Sequence, residues 1–296
     1  MLYSVNCIKR KMANDFQFKE ELAILFNWLQ NQPHLPIIET LPMKNFLIAC
    51  NGNLDSAKSL IIKQYEMRNY YKALFIERDP SSDASRDFWN IADTILFPGL
   101  TSNCGKVIFM RLRDFDVSKY NFNDSIKMII MFYDALLSVP DPSGIIPKEY
   151  ICICDMTGYS LSHILKVSIL TLRAFIKFYQ EGISIKIKNI HIINCSDLIN
   201  RIMTILTPLL NERVKKMIIC HSPNTETIFD YVPKEMFPSD YNGNSKSIQE
   251  LKDESWNQFE TTWPYLIDRK YWEIDESKRI EPKSESWFGS FVKDFW

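Results

Sequence analysis

Tyr150-Ile-Cys-Ile-Cys-Asp155, Ile185-Lys-Ile-Lys-Asn-Ile-His-Ile-Ile-Asn194 and Lys215-Lys-Met-Ile-Ile-Cys-His221 are three short apolar runs separated by two greasy helical patterns, 161–179 and 198–210. Short apolar runs bounded by polar turns predict buried strands. Strands alternating with helices predict a largely parallel sheet with helices packed on it, an α/β domain. On the first helix, Leu161, Ile164, Leu165, Ser168, Leu172, Phe175 and Tyr179 share one face, while Val167, Leu170, Ala174 and Phe178 make most of a second. On the second, Ile199, Ile202, Met203, Leu206 and Leu210 form a stripe that Ile205 and Leu209 widen. A helix apolar on two faces is central in a core or lines a cavity. One sheet has only two faces to cover, so this excess of apolar helix surface points to holding a greasy ligand.

Working outward, residues 1–80 carry helical periodicity and no strand signal. Leu22, Leu25, Phe26 and Leu29 recur at helical spacing until Pro33 and Pro36, and two further helices are predicted before the polar breaker 79–83. The expected organisation is an N-terminal helical module (1–83), an α/β domain (84–246) and a charged, Trp-rich tail wrapped over the body (247–296). Within the second unit, 88–97 reads as a short helix, 105–113 as a strand and 125–137 as a helix. The composition has 8 Gly against 19 Phe and 13 Tyr, and the net charge is −1. Few glycines leave little material for phosphate-cradling loops. A neutral total gives no electrostatic footprint for nucleic acid, so none is expected as a partner. The basic residues Lys9 to Lys11 are not followed by an apolar stretch, and no run of about 18 apolar residues occurs. Together with seven scattered Cys and no Cys-x-x-Cys pair, this predicts a cytoplasmic monomer in a reducing compartment.

Motifs for chemistry are weak. The stretch 99–106 lacks the spacing and the hydroxyl of a phosphate loop. Cys195-Ser-Asp-Leu-Ile-Asn-Arg201 has the Cys-x5-Arg spacing of a Cys-based phosphatase, the alternative enzymatic reading. It has no Gly to let amides converge, and Asp197 would set a carboxylate against the phosphate. Ser196 or Asp197 as an N-cap accounts for it more simply. His34, His163, His191 and His221 have no zinc spacing, and Asp155 before Met156, Thr157 and Gly158 reads as a turn former. No metal or cofactor is expected. A third reading is a scaffold whose pocket has collapsed around Phe175, Phe178 and Tyr179.

The order of features resembles the CRAL-TRIO family, across about residues 16–296, and is most similar to its arthropod branch. The resemblance rests on Asn27-Trp-Leu-Gln-Asn-Gln-Pro-His-Leu-Pro36 with Asn45-Phe-Leu-Ile-Ala-Cys-Asn51, on Cys154-Asp-Met-Thr-Gly-Tyr-Ser-Leu-Ser-His163, on Lys188-Asn-Ile-His-Ile-Ile-Asn194 followed by Pro208, on Pro233-Lys-Glu-Met-Phe-Pro-Ser-Asp-Tyr-Asn-Gly243, and on Asp275-Glu-Ser-Lys-Arg279 with Phe288-Gly-Ser-Phe291. It implies an N-terminal helical module and an α/β lipid-binding domain whose apolar pocket has a helical gate. The implied activity is non-enzymatic: carrying one small tocopherol-, retinoid- or phospholipid-like ligand and exchanging it at membranes. The family's pocket positions fall on Cys154, Leu161, Val167, Phe175, Phe178, Tyr179 and Ile185. The gate falls on Ile199, Ile202, Met203 and Leu206. The basic positions that meet phosphoinositides on an anionic membrane fall on Lys186, Lys188 and Arg213. Two further basic positions are Cys50 and Met217 here, which predicts a weaker headgroup preference.

Overall fold

Five strands form one sheet in sequence order. They are β1 (Ala92–Leu96), β2 (Gly105–Leu112), β3 (Glu149–Asp155), β4 (Ile187–Ile193) and β5 (Ile218–Cys220). β1 is antiparallel to β2, and β2 to β5 run parallel. These come from a computed structural model that describes residues 17–280; the basic residues at 9–11 and the motif at 288–291 lie outside them. The longer helices are α1 (Lys19–Gln30), α2 (Thr40–Ala49), α3 (Leu54–Tyr70), α4 (Asp83–Ile91), α5 (Phe122–Ser138), α6 (Ile169–Glu181), α7 (Leu198–Leu206) and α8 (Ile248–Glu260). The α/β organisation read from the sequence is therefore present, behind an N-terminal helical region.

Strand order constrains where the helices go. When parallel strands are added in one direction and every crossover is right-handed, the crossover helices fall on the same face. α5, α6 and α7 are those crossovers. The opposite face is closed by chain beyond β5: Val107, Phe109, Ile151 and Ile153 pack with Ile228, Val232, Phe237 and Leu251. Alternation along each strand divides the side chains between the two faces. On β2, Val107 and Phe109 are fully buried in that second core, while Ile108 and Met110 point to the helices.

Several local readings change. Residues 88–97 are not one helix: α4 ends at Ile91 and the chain extends into β1. Asp93, a poor strand former, is tolerated there because it is 1% exposed yet ion-paired to Arg111 and Lys252, each at 2.8 Å. The pattern 161–179 divides into Leu161–Leu165 and α6. Lys166 between them donates to the carbonyls of Val117 and Tyr120, and Ser168 starts α6 by accepting from Thr171 N. Lys215 ends a one-turn helix that also holds Arg213, rather than opening a strand. The segment after 246 opens with a helix: a Ser247/Glu250 capping box begins α8, which packs on β1. Gly243 is required by contact, since a Cβ there would lie 2.0 Å from the Phe237 carbonyl oxygen. Cys50, Cys152, Cys154, Cys195 and Cys220 are free thiols.

Candidate functional site

Between the helix-covered face of the sheet and α5 and α6 lies a cavity of about 360 Å³, within the usual range of small-molecule sites. Its floor is the inward face of the strands: Ile108 and Met110, Cys152 and Cys154, Ile187 and Ile190. Ile187 and Ile190 are three apart and still share this face. Pairing slips by one residue there, from Tyr150 opposite Ile187 to Ile151 opposite Asn189, and the bulge at Lys188 resets the alternation. The roof is α5, whose Phe122, Ile126, Ile129, Ile130 and Tyr133 recur at helical spacing toward the cavity. α6 closes the side with Phe175, Phe178 and Tyr179, and the following chain adds Ile183 and Ile185.

The seven pocket positions implied by the resemblance divide five to two. Cys154, Phe175, Phe178, Tyr179 and Ile185 line the cavity. Leu161 and Val167 do not; Leu161 is exposed, because the chain breaks at Lys166 and turns the short helix 161–165 away from α6. Of the gate positions, Ile199, Ile202, Met203 and Leu206 are all half-buried on α7, and none is on the cavity wall. No residue of α7 is fully buried. Lys186 and Lys188 are exposed at the start of β4, Lys188 paired with Glu149 at 3.0 Å. Arg213 is exposed and donates to the Gln180 carbonyl at the end of α6. The α5 and β2 contributions were not anticipated. Their signals were the inward half of the β2 alternation and the helical period of 122–136, neither of which says what lies opposite.

Polar groups at the C-terminal end of β3 are mutually satisfied. Asp155 accepts from Thr157 N and Asn194 Nδ2, each at 2.9 Å, and from the Tyr241 hydroxyl. It ties the turn after β3, the end of β4 and the loop around Gly243 together, a larger role than turn formation alone. Among the described residues no cluster of three or more His, Cys, Asp or Glu is arranged for a metal. The phosphatase reading fails on electrostatics. Burial and the neighbouring Cys220 push the Cys195 thiol up to about 11, and it donates to the Ile192 carbonyl at 3.1 Å. A nucleophile for phosphate must be a thiolate near neutral pH.

His191 and His221 form a buried pair, Nδ1 to Nε2 at 2.9 Å, with His221 Nδ1 against Thr227 Oγ1 at 2.7 Å and the Tyr231 ring 4.6 Å from His191. Burial first, and then His221, pushes His191 down to about 4. The unfolded chain takes up that proton near pH 6.5. The folded state therefore holds its full contribution above about pH 6.5 and loses it as the pH falls toward about 4. Denaturation midpoints should fall through that window in the wild type, and the slope should be shallower in His191→Leu. An identical slope in both proteins would remove the pair as the cause.

Residues 93–243 match the model of the CRAL/TRIO domain, just over half of the 296-residue chain. The chain belongs to the CRAL/TRIO domain family. The resemblance read from the sequence is confirmed at the level of the family. Residues 14–85, toward the N-terminal end of this CRAL/TRIO protein, match a Pinta-like UBA domain. The alpha-tocopherol transfer protein-like protein of Mus musculus is 24% identical over 212 residues, 72% of this chain and 60% of that protein. Clavesin-2 of Rattus norvegicus is 23% identical over 151 residues, 50% of this chain and 45% of that protein. The chain thus spans less than two thirds of either relative. A crystal structure of Sfh5 aligns with a TM-score of 0.49 at 12% identity, over 70% of this chain and 73% of that one.

Proposed function

We propose that this CRAL/TRIO protein is a non-enzymatic carrier that binds one small hydrophobic molecule in the cavity and exchanges it at membranes. The observation that carries the reading is the cavity of about 360 Å³ between the sheet and helices α5 and α6, walled almost wholly by aliphatic and aromatic side chains. Burying apolar ligand surface there supplies affinity at about 25 cal/mol per Å². The open volume argues against a scaffold collapsed around Phe175, Phe178 and Tyr179. The relative from Mus musculus is named for its likeness to a transfer protein. The pocket residues are those of the wall, Cys154, Phe175, Phe178, Tyr179 and Ile185 included. α7 is the gate: with no fully buried residue it has little packing to lose on moving. Native mass spectrometry of the full chain purified from cells tests the reading, wild type carrying a bound lipid. A wild type that is always empty and binds no lipid offered to it would sink it.

Exchange needs a membrane-facing surface, and among the described residues no helix is long and apolar enough to cross a membrane. Contact is therefore proposed as peripheral and transient, by a cytoplasmic monomer, through Lys186, Lys188 and Arg213 on anionic headgroups such as phosphoinositides. Each basic residue near such a surface contributes about 1 kcal/mol. Replacing Lys186 and Lys188 by Glu should lower co-sedimentation with phosphoinositide vesicles at low salt about tenfold or more. Salt should shrink the difference, since screening acts over about 10 Å at 0.1 M. Ligand affinity in solution should barely move, because neither side chain lines the cavity. Equal vesicle binding by both proteins at low salt would take the patch out of the mechanism.

A further inference from the structure

Most polar groups on the cavity wall already have partners. Arg111 donates to Asp93 at 2.8 Å. The Tyr133 hydroxyl meets Ser184 at 2.9 Å, and Ser125 donates to the Asn121 carbonyl at 2.7 Å. Asp155 is held as described above. The Tyr179 hydroxyl is different: it is buried and has no hydrogen-bond partner among the described residues. Native structures rarely leave such a group unsatisfied without a functional reason. Tyr179 lies near the end of α6, within electrostatic reach of Cys152 and Cys154 on the cavity floor and of Arg213, which is off the wall, exposed, and donates to the Gln180 carbonyl. Burial raises its pKa and those of both thiols, so this end of the cavity is neutral and offers hydrogen-bond donors.

We infer that the cavity takes an uncharged apolar molecule with a hydroxyl or carbonyl oxygen, and that Tyr179 holds this oxygen beside Cys152 and Cys154. The inference rests on the carrier reading. An ionised carboxylate or phosphate would need a cation at that end. Arg111 is the one cation among the described wall residues; it is level with Asp155 in the β2–β3 register, three residues along β3 from Cys152. At about 3.3 Å per residue that separation is about 10 Å from Cys152 but about 3 Å from Cys154; what withholds Arg111 from a ligand is its guanidinium's ion pair with Asp93.

Three probes with one carbon skeleton test this on the full chain: dodecanol, dodecane and dodecanoate, each displacing a neutral fluorescent reporter from wild type and from Tyr179→Phe. Wild type should bind dodecanol about five- to tenfold more tightly than dodecane, the worth of one buried hydrogen bond, and dodecanoate more weakly than dodecanol. In Tyr179→Phe the advantage of the alcohol should fall to about twofold or less, with dodecane affinity and thermal midpoint unchanged. Binding of all three without preference for the alcohol, or tighter binding of dodecanoate, overturns the inference and leaves the carrier reading standing. An alcohol advantage that survives in Tyr179→Phe overturns the assignment to this residue. Failure of all three to bind overturns both readings. The wild-type comparison of alcohol with carboxylate decides the charge class even if the variant folds poorly.

Discussion

Asp134→Asn should destabilise the fold by about 3–5 kcal/mol, the usual consequence of stripping the counter-charge from a buried ion cluster. Asp134 on α5 is 2% exposed and accepts two hydrogen bonds from Arg68 of α3, at 3.0 and 2.6 Å. Arg78 also meets it, at 2.5 Å, as an ion contact without good hydrogen-bond alignment. Both arginine side chains are 0% exposed, and the Trp272 ring lies 4.9 and 4.7 Å from their guanidinium carbons. One carboxylate thus serves two buried cations and joins the N-terminal helices, the α/β domain and the C-terminal segment. Burial lowers the pKa of Arg78, with Arg68 adding to the effect, whereas Asp134 raises that of Arg68. Without the carboxylate both arginines lose their counter-ion. Urea denaturation of the full chain measures the loss. Arg78→Met added to Asp134→Asn should recover part of it by removing one unpaired charge. A loss below about 1 kcal/mol in Asp134→Asn would mean that the cluster is solvated and does not lock the modules together.

Phe175→Asp should abolish retention of ligand. Phe175 is on the cavity wall, and the cation on that wall, Arg111, is already engaged by Asp93. A carboxylate placed there stays charged only at a cost of several kcal/mol when a ligand dries the site, which is a loss of more than about a hundredfold in affinity. Native mass spectrometry should show an empty chain where wild type carries a lipid. Phe175→Leu keeps the wall apolar and should retain it, which separates the effect of charge from that of lost aromatic packing. If both variants retain ligand as wild type does, this cavity is not the binding site.

Much of the architecture follows from local pattern. The apolar runs at 150–155, 187–193 and 218–220 are short and bounded by polar turns, and the segments between them are long and helical. Backbone sterics then leave little besides parallel strands with crossovers. The helical period of α6 alone picks out Phe175, Phe178 and Tyr179 as neighbours, and all three line the cavity. β1 was not legible, because Asp93 disfavours a strand until Arg111 and Lys252 neutralise it, and Lys252 arrives from far along the chain. The division of 161–179 was hidden for the same reason: Lys166 is captured by carbonyls of the 117–120 loop, which no helical period records. Leu161 and Val167 leave the wall as a result. The bulge that turns Ile187 and Ile190 to one face depends on register with β3.

What the sequence determined by itself was the class of the fold, the family, and the apolar character of its helices, since each is written in neighbouring residues. Tertiary structure alone decided which apolar faces were left open as a cavity rather than packed, and that the Tyr179 hydroxyl on its wall has no partner among the described residues. A side chain's need for burial is a local property; whether a partner fills the space opposite depends on elements that meet only when the chain has folded.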